Sequence, residues 1–332
     1  MAKKARIIST GSYLPEKVLS NSDLEKMVDT SDEWIFSRTG MKERRLAAAD
    51  EPTSEMGFQA AKKAIEKAGI DAEEIELILF ATLTPDYPFP STACLIQARL
   101  GAFNAAAVDL QAACTGYIYA LSQAKAYVES GMYRSILVVA SEKLSSIVNY
   151  QDRATCVLFG DGAAACIVAA EGKGLFISDV CLGADGRLAE LLIIPAGGSK
   201  KPASIETVQT SQHYLQMEGK ELFKHAVRRM EMAASRCLER ASLKKEQIKW
   251  LIPHQANMRI IEAIAKRFDV PMEYVFLTLH KYGNTSASSV GIALDELLKE
   301  KDLEEGDNIL LVAFGAGLTW GATILTCGGE NA

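Results

Sequence analysis

Short unbroken apolar runs alternate along this chain with longer stretches whose apolar residues recur at helical spacing. Ile136-Leu137-Val138-Val139-Ala140, Ala163 to Val168, Trp250-Leu251-Ile252-Pro253, Ile309-Leu310-Leu311-Val312-Ala313 and Thr319 to Thr326 predict strands. Tyr117 to Val128 predicts a helix, and an amphipathic helix begins at Gln255-Ala256-Asn257-Met258-Arg259. Gly and polar residues interrupt the pattern at Ala169-Ala170-Glu171-Gly172-Lys173-Gly174, the predicted joint between two halves, residues 1–172 and 173–332. Pro195 to Pro202 predicts a solvated loop.

The same order of elements occurs twice. An offset of 173 carries Ala60-Ala61 onto Ala233-Ala234, Glu66 onto Glu239, Ala68 onto Ala241, Glu73 onto Glu246 and Ile75 onto Ile248. It also carries Ala120-Leu121 onto Ala293-Leu294 and the run at Ile136 onto the run at Ile309. The match lapses between about Leu83 and Leu110, where the copies need different loops. Such a pattern is a duplication of an α/β unit, and it places any site shared by equivalent junctions between the halves.

Three junctions carry chemistry. Cys114, in Gln111-Ala112-Ala113-Cys114-Thr115-Gly116, opens the helix predicted from Tyr117. Unpaired N–H groups at a helix start favour thiolate over thiol, so the position predicts a thiol pKa below the ordinary value of about 8.5. His254 follows an apolar run ended by Pro253 and precedes a helix, the place where open α/β sheets hold their ligands. Asn284 lies in the Gly-marked turn Tyr282-Gly283-Asn284-Thr285-Ser286. A lone thiol at a helix start is more often a small buried apolar group than a nucleophile; with the other two junctions the balance reverses.

Composition narrows the function. The 332 residues carry a formal charge of −6, with a pI near 5.5, which opposes a general nucleic-acid binder. No apolar run approaches the roughly 18 residues of a membrane span, and the N-terminal apolar segment is too short for a signal peptide, so a cytoplasmic protein is expected. Seven scattered cysteines without a C-x-x-C pair predict neither a zinc site nor disulfides. Gly315-Ala316-Gly317 is followed by a strand, with no helix to receive a pyrophosphate, and predicts a tight hairpin, not a dinucleotide fingerprint. Phe159-Gly160-Asp161-Gly162 is likewise a turn. His213 and His225 predict surface or helix-face roles, and His280 a structural one.

Ala113-Cys114-Thr115-Gly116, Pro253-His254-Gln255-Ala256-Asn257, Gly283-Asn284-Thr285-Ser286 and Phe314-Gly315-Ala316-Gly317-Leu318-Thr319-Trp320-Gly321 resemble the motifs of the β-ketoacyl-acyl-carrier-protein synthase III family. Asp29 to Ile35 with Arg38-Thr39-Gly40 resembles that family's coenzyme A entrance, and the likeness spans essentially the whole chain. The resemblance implies an internally duplicated, thiolase-like αβαβα layered sandwich. It implies a decarboxylative condensation of a primer acyl-CoA, held as acyl-Cys114, with malonyl-acyl carrier protein (malonyl-ACP) at the start of type II fatty-acid synthesis. No metal or organic cofactor is implied; the partners are acyl carrier protein, acyl-CoA and a second copy of the chain.

Site residues follow by the same resemblance. Cys114 is the nucleophile, with His254 and Asn284 polarising the malonyl thioester carbonyl as neutral donors. Backbone amides of Cys114 and Ala316, the latter where many relatives have a third glycine, form the oxyanion hole. Trp34, Arg38, Thr39, Arg153, Gly219, Phe223, Asn257 and Arg259 bind coenzyme A. The carrier protein meets Gln255, Ala256, Asn257, Met258, Arg259, Lys224, Lys266 and Arg267. Phe89, Leu144, Met217 and Phe314 shape the acyl pocket, Phe89 capping that of the neighbouring subunit. A papain-like hydrolase also orders Cys, His and Asn, with a comparable 140-residue spacing, but a duplicated α/β chain without a C-G-S-C-W setting opposes it. A condensing enzyme of secondary metabolism stays open.

Overall fold

A computed structural model describes residues 3–328. Nine strands form one continuous sheet: β1 (Arg6–Tyr13), β2 (Leu77–Ala81), β3 (Ala106–Leu110), β4 (Ser135–Glu142), β5 (Gly162–Ala169), β6 (Gly174–Ala184), β7 (Ile248–Pro253), β8 (Asn308–Gly315) and β9 (Thr319–Gly328). Their spatial order is β7-β8-β9-β6-β1-β5-β4-β2-β3. The main helices are α1 (Asp32–Thr39), α2 (Thr53–Ala68), α3 (Thr92–Leu100), α4 (Gly116–Ser130), α5 (Gly219–Arg240), α6 (Met258–Arg267) and α7 (Ser288–Glu300).

The duplication is visible strand by strand. Adding 173 carries β4 onto β8 end to end, and it carries the parallel pairing of Leu77 with Ile136 onto that of Trp250 with Ile309. In each half a parallel pair is followed by two antiparallel neighbours, and the halves join where β1 meets β6 at Arg6–Phe176 and Ile7–Leu175. The second half keeps only an isolated parallel bridge, Leu251 to Val275, where the first half has the edge strand β3.

Alternation along the strands builds the layers. Ile136, Val138 and Ala140 of β4 and Ile309, Leu311 and Ala313 of β8 pack with α4 and α7 into one central core. The intervening Leu137 and Val139 face α2 and α3, and Leu310, Val312 and Phe314 face α5 and α6, in two outer cores. Helix, sheet, helix pair, sheet, helix is the resulting stack. The central helices approach closely because small residues line them: a Cβ on Gly116 would lie 3.0 Å from the Ala81 Cβ and 3.2 Å from the Ala287 Cβ. Helix α5 starts earlier than its repeat partner α2, and these added turns roof the cavity described below.

Candidate active site

Cys114 sits in a single 3₁₀ turn, Ala113–Thr115, between β3 and α4. Ala113 holds φ of 46°, a left-handed conformation unusual for a residue with a Cβ, and turns the chain sharply before the thiol. The C-terminal hairpin holds this turn from the other side. Thr319 Oγ1 lies 2.8 Å from Thr115 Oγ1 and donates to the Ala112 carbonyl at 3.0 Å. Gly315 packs against the nucleophile's backbone so tightly that a Cβ there would be 2.7 Å from the Cys114 amide nitrogen.

His254 and Asn284 are each fixed so that a donor is left over. The His254 amide donates to the Val312 carbonyl at 2.8 Å, and its Nδ1 lies 2.6 Å from Ser289 Oγ. That oxygen also receives the Gln255 N–H at 3.4 Å, and in the tautomer in which Ser289 donates to Nδ1 the ring proton sits on Nε2. Asn284 is pinned by its amide to the Leu158 carbonyl at 2.9 Å, and its own carbonyl accepts from Gly160 at 3.0 Å. Its Oδ1 accepts from the Ser286 N–H at 2.9 Å, which orients the side-chain amide and leaves its NH₂ for the cavity.

Burial sets the protonation states. It pushes the His254 imidazole down to about 3, so the ring is neutral at any working pH; charging it would cost on the order of 5 kcal/mol. Burial also pushes the Cys114 thiol up to about 12. The expected lowering by the helix start is thereby overturned: a thiol 7 % exposed loses more hydration than the start of α4 returns, and the buried Glu142 carboxylate raises it further.

All three side chains line one cavity of about 970 Å³. Phe314 and Gly315 adjoin them, while Trp34, Arg38 and Arg259 lie along the same wall system nearer the exposed surface.

A thiol, a neutral imidazole and an amide thus meet at one cavity in a duplicated sandwich. The profile for 3-oxoacyl-[acyl-carrier-protein] synthase III matches residues 108–186, and that for the C-terminal part of the same enzymes matches residues 238–327. β-Ketoacyl-[acyl-carrier-protein] synthase III of Chlamydia muridarum is 62% identical over 323 residues, covering 97% of this chain and 99% of that protein. The chain belongs to the β-ketoacyl-acyl-carrier-protein synthase III family. The corresponding protein of Caldanaerobacter subterraneus subsp. tengcongensis is 54% identical over 97% of each chain. The crystal structure of the Aquifex aeolicus VF5 synthase III superposes with a TM-score of 0.89 at 49% identity, covering 97% of this chain and 99% of that one. As a synthase III, this protein is an acyltransferase, a thiolase-like condensing enzyme of fatty-acid biosynthesis.

Within this synthase III the remaining sequence-derived site residues divide. Thr39, Gly219, Phe223, Ala256, Asn257, Lys224 and Met217 line the cavity with those already named. The Thr39 hydroxyl is itself occupied, donating to the Ile35 carbonyl at 2.7 Å and accepting from the Met41 N–H at 3.0 Å. Arg153 stands outside the lining, its guanidinium 4.8 Å from the Trp34 ring centroid. Leu144 is buried behind Met217 in a satellite core, and Phe89 is 85 % exposed; neither lines the cavity of its own chain. Gln255 departs furthest from expectation as a carrier contact. Its amide is fully buried, donating to Pro253 O at 2.6 Å and accepting from the Thr278 and Leu279 N–H groups at 2.9 and 3.0 Å, which makes it a brace for the loop bearing His254. Met258 packs under Gly40, and Ala316 sits in the turn after Gly315.

Ser286, Ser289 and Glu142 carry no site role in the sequence motifs, although Ser286 lies inside the Asn284 motif itself. Each is a polar residue in an otherwise small or apolar buried stretch, and that incongruity is the signal that could have found them.

Proposed function

We propose that this chain transfers a primer acyl group from coenzyme A to Cys114 and condenses it with malonyl-ACP to give a 3-oxoacyl product. The observation that carries the reading is the cavity at which a thiol meets two oriented N–H donors, His254 Nε2 and Asn284 Nδ2. Cys114 Sγ attacks the thioester carbonyl, with the backbone N–H groups of Cys114 and Ala316 receiving the oxyanion, and coenzyme A departs. Malonyl-ACP then loses carbon dioxide. The enolate oxygen takes hydrogen bonds from His254 and Asn284, and its carbon attacks the acyl-Cys114 carbonyl. These roles need no metal or organic cofactor. Mass spectrometry of Cys114 after exposure to a panel of acyl-CoAs, followed by addition of malonyl-ACP, tests the reading and identifies the primer; a wild-type protein that acquires no acyl group overturns it.

Trp34, Arg38 and Arg259 at the mouth fit an adenine nucleotide, an aromatic face flanked by guanidinium groups. Trp34 and Arg153 touch one another, so a base enters that clamp by parting them.

A second groove, of about 750 Å³, is lined by Lys224, Arg228, Lys266 and Arg267 between α5 and α6. It fits an acidic carrier protein, although Lys224 is paired with Glu221 at 2.7 Å and Arg267 with Glu231 at 3.3 Å, which offsets part of the field each offers. Reversing Lys266 and Arg267 together to Glu is expected to raise KM for malonyl-ACP several-fold at low salt, by an amount that shrinks as ionic strength rises. Acylation by acyl-CoA should be nearly unchanged. Lys224→Glu is the less clean test because Lys224 also borders the coenzyme cavity. Equal slowing of both half-reactions would make the groove an ordinary solvated surface.

The exposed Phe89 and Tyr87 project from the loop between β2 and α3. A homodimer in which Phe89 closes the partner's acyl pocket would explain a large apolar side chain left in solvent. Sedimentation should give an active dimer, and an active monomer removes this assignment.

A further inference from the structure

Among the described residues, one group of three metal-ligating side chains comes together away from the cavity: Asp179, Cys181 and Cys237. Asp179 and Cys181 stand two apart on β6 and so share a face, and the last turn of α5 brings Cys237 to them. The two sulfurs and a carboxylate oxygen all lie within 4.8 Å of one another, and all three residues are buried. The Cys181 thiol donates to Asp179 Oδ2 at 3.7 Å, and the Cys237 thiol donates to the Ala322 carbonyl of β9 at 3.7 Å. Arg240 covers the group from the solvent side. Its guanidinium lies 3.0 Å from Asp179 Oδ1 and 3.7 Å from Cys181 Sγ, and its side chain is 54 % exposed.

We propose that Asp179, Cys181 and Cys237 bind one thiophilic divalent cation of the zinc type. Two thiolates and a carboxylate select such an ion over magnesium or calcium, which take oxygen ligands. Zinc holds sulfur at about 2.3 Å and carboxylate oxygen at about 2.0–2.2 Å in a tetrahedron, which sets neighbouring ligand atoms roughly 3.5–3.8 Å apart. The 3.7 Å between Cys181 Sγ and Asp179 Oδ2 is already that spacing. Binding forms two metal–sulfur bonds and one metal–oxygen bond, each thiol releases its proton to solvent, and a water completes the tetrahedron. Nothing is oxidised or reduced.

Charge and access support the site. Three anionic ligands on a dication leave one negative charge, and the Arg240 guanidinium stands beside them to neutralise it. Cys237 lies in the last turn of α5, where the negative end of the helix favours a cation. The surrounding core is apolar, with Ala233, Ala234, Leu238 and Ile324, and a carboxylate buried there is costly unless it is paired or bound to metal. Burial and the Asp179 carboxylate both raise the two thiols, so they hold their protons until an ion displaces them. The ion enters past the flexible Arg240 side chain. It ties the end of α5 to β6, while the earlier turns of the same helix, from Gly219 to Met230, line the cavity, so the site lies outside the condensation chemistry.

The test uses the full chain kept reduced by a phosphine, loaded with Zn²⁺ and desalted. Metal content is measured per chain, and affinity by competition with a chromophoric chelator. Wild type and Cys114→Ala should each retain about one zinc. Cys181→Ser and Cys237→Ser should bind about 100-fold more weakly, and Asp179→Asn at least about 10-fold more weakly. Zinc should raise the wild-type Tm and leave that of Cys181→Ser where it was. X-ray absorption at the zinc edge of the wild type needs no variant to fold: it should show two sulfur neighbours at about 2.3 Å with oxygen completing the shell. Wild type that retains no zinc overturns the site, as does a first shell without sulfur. Unchanged affinity in Cys181→Ser and Cys237→Ser overturns it equally, and loss of the ion in Cys114→Ala would move the metal to the active-site thiol instead.

Discussion

Cys114→Ala is expected to lose condensation of acyl-CoA with malonyl-ACP by a factor on the order of 10⁴ or more, while decarboxylation of malonyl-ACP continues. No other cysteine lines the cavity: Cys156, Cys166, Cys181 and Cys237 are buried in packing, and Cys94 and Cys327 lie outside the lining. Without Sγ the acyl group has no acceptor. The remaining machinery is untouched, because the oxyanion donor proposed at position 114 is a backbone N–H that alanine keeps, and His254 and Asn284 are held by Ser289, Val312, Leu158 and Ser286 rather than by the thiol. Removing one buried sulfur should cost about 1 kcal/mol of stability, too little to unfold the chain. Carbon dioxide release from malonyl-ACP and mass spectrometry of the product, measured on one preparation, check both halves of the claim. Residual condensation within tenfold of wild type would exclude Cys114 as the acyl carrier.

Much of this architecture is written in local patterns. The apolar runs at Ile136 and Ile309 become β4 and β8 because a strand covered by helices on both faces needs apolar residues at every position. The offset of 173 survives into matching registers because each copy must repeat its pairing to bury the same faces. Strand β3 left a weaker trace: it is an edge strand, and its half-exposed Ala106 to Leu110 shows no clean period. The join of β1 to β6, which makes one sheet of two halves, rests on two residue pairs far apart in sequence and has no local signature.

The site was legible where chemistry needs a particular side chain beside a glycine or a sharp turn. Cys114, His254 and Asn284 all occupy such junctions, and the structure brings them to one cavity. Titration was not legible. A helix start argues for a thiolate, but Cys114 is enclosed by Gly315, Ala113 and Ser286, and desolvation decides the outcome. Gln255 shows the converse error: a polar residue in a motif reads as a contact for a partner, yet its amide is consumed by the backbone at Pro253, Thr278 and Leu279. Leu144 lies outside the cavity for a third reason, since which side chains border a void depends on packing that periodicity does not encode.

His254→Ala and Asn284→Ala should reverse the Cys114→Ala result: each still acquires an acyl group on Cys114, and each loses malonyl-ACP decarboxylation by about 10²–10³-fold, the usual effect of removing one oxyanion donor. Asn284→Ala also strands the buried Ser286 N–H, at about 1–3 kcal/mol, so stability must be separated from catalysis. Asn284→Asp does this. It keeps an acceptor for Ser286 and replaces the cavity-facing NH₂ with oxygen, so it should decarboxylate no better than alanine while folding more securely. The donor reading also fixes what nitrogen-15 resonances of His254 must report. With its ordinary value lowered to about 3, the ring gains no proton between pH 8 and pH 5, and it should remain the neutral tautomer with Nε2 protonated and Nδ1 bare across that range. A transition near pH 6.5 would mean that His254 is hydrated and can carry charge. Acylation blocked by His254→Ala with decarboxylation spared would assign the imidazole to Cys114 instead, as a base for the thiol, and would withdraw it from the enolate.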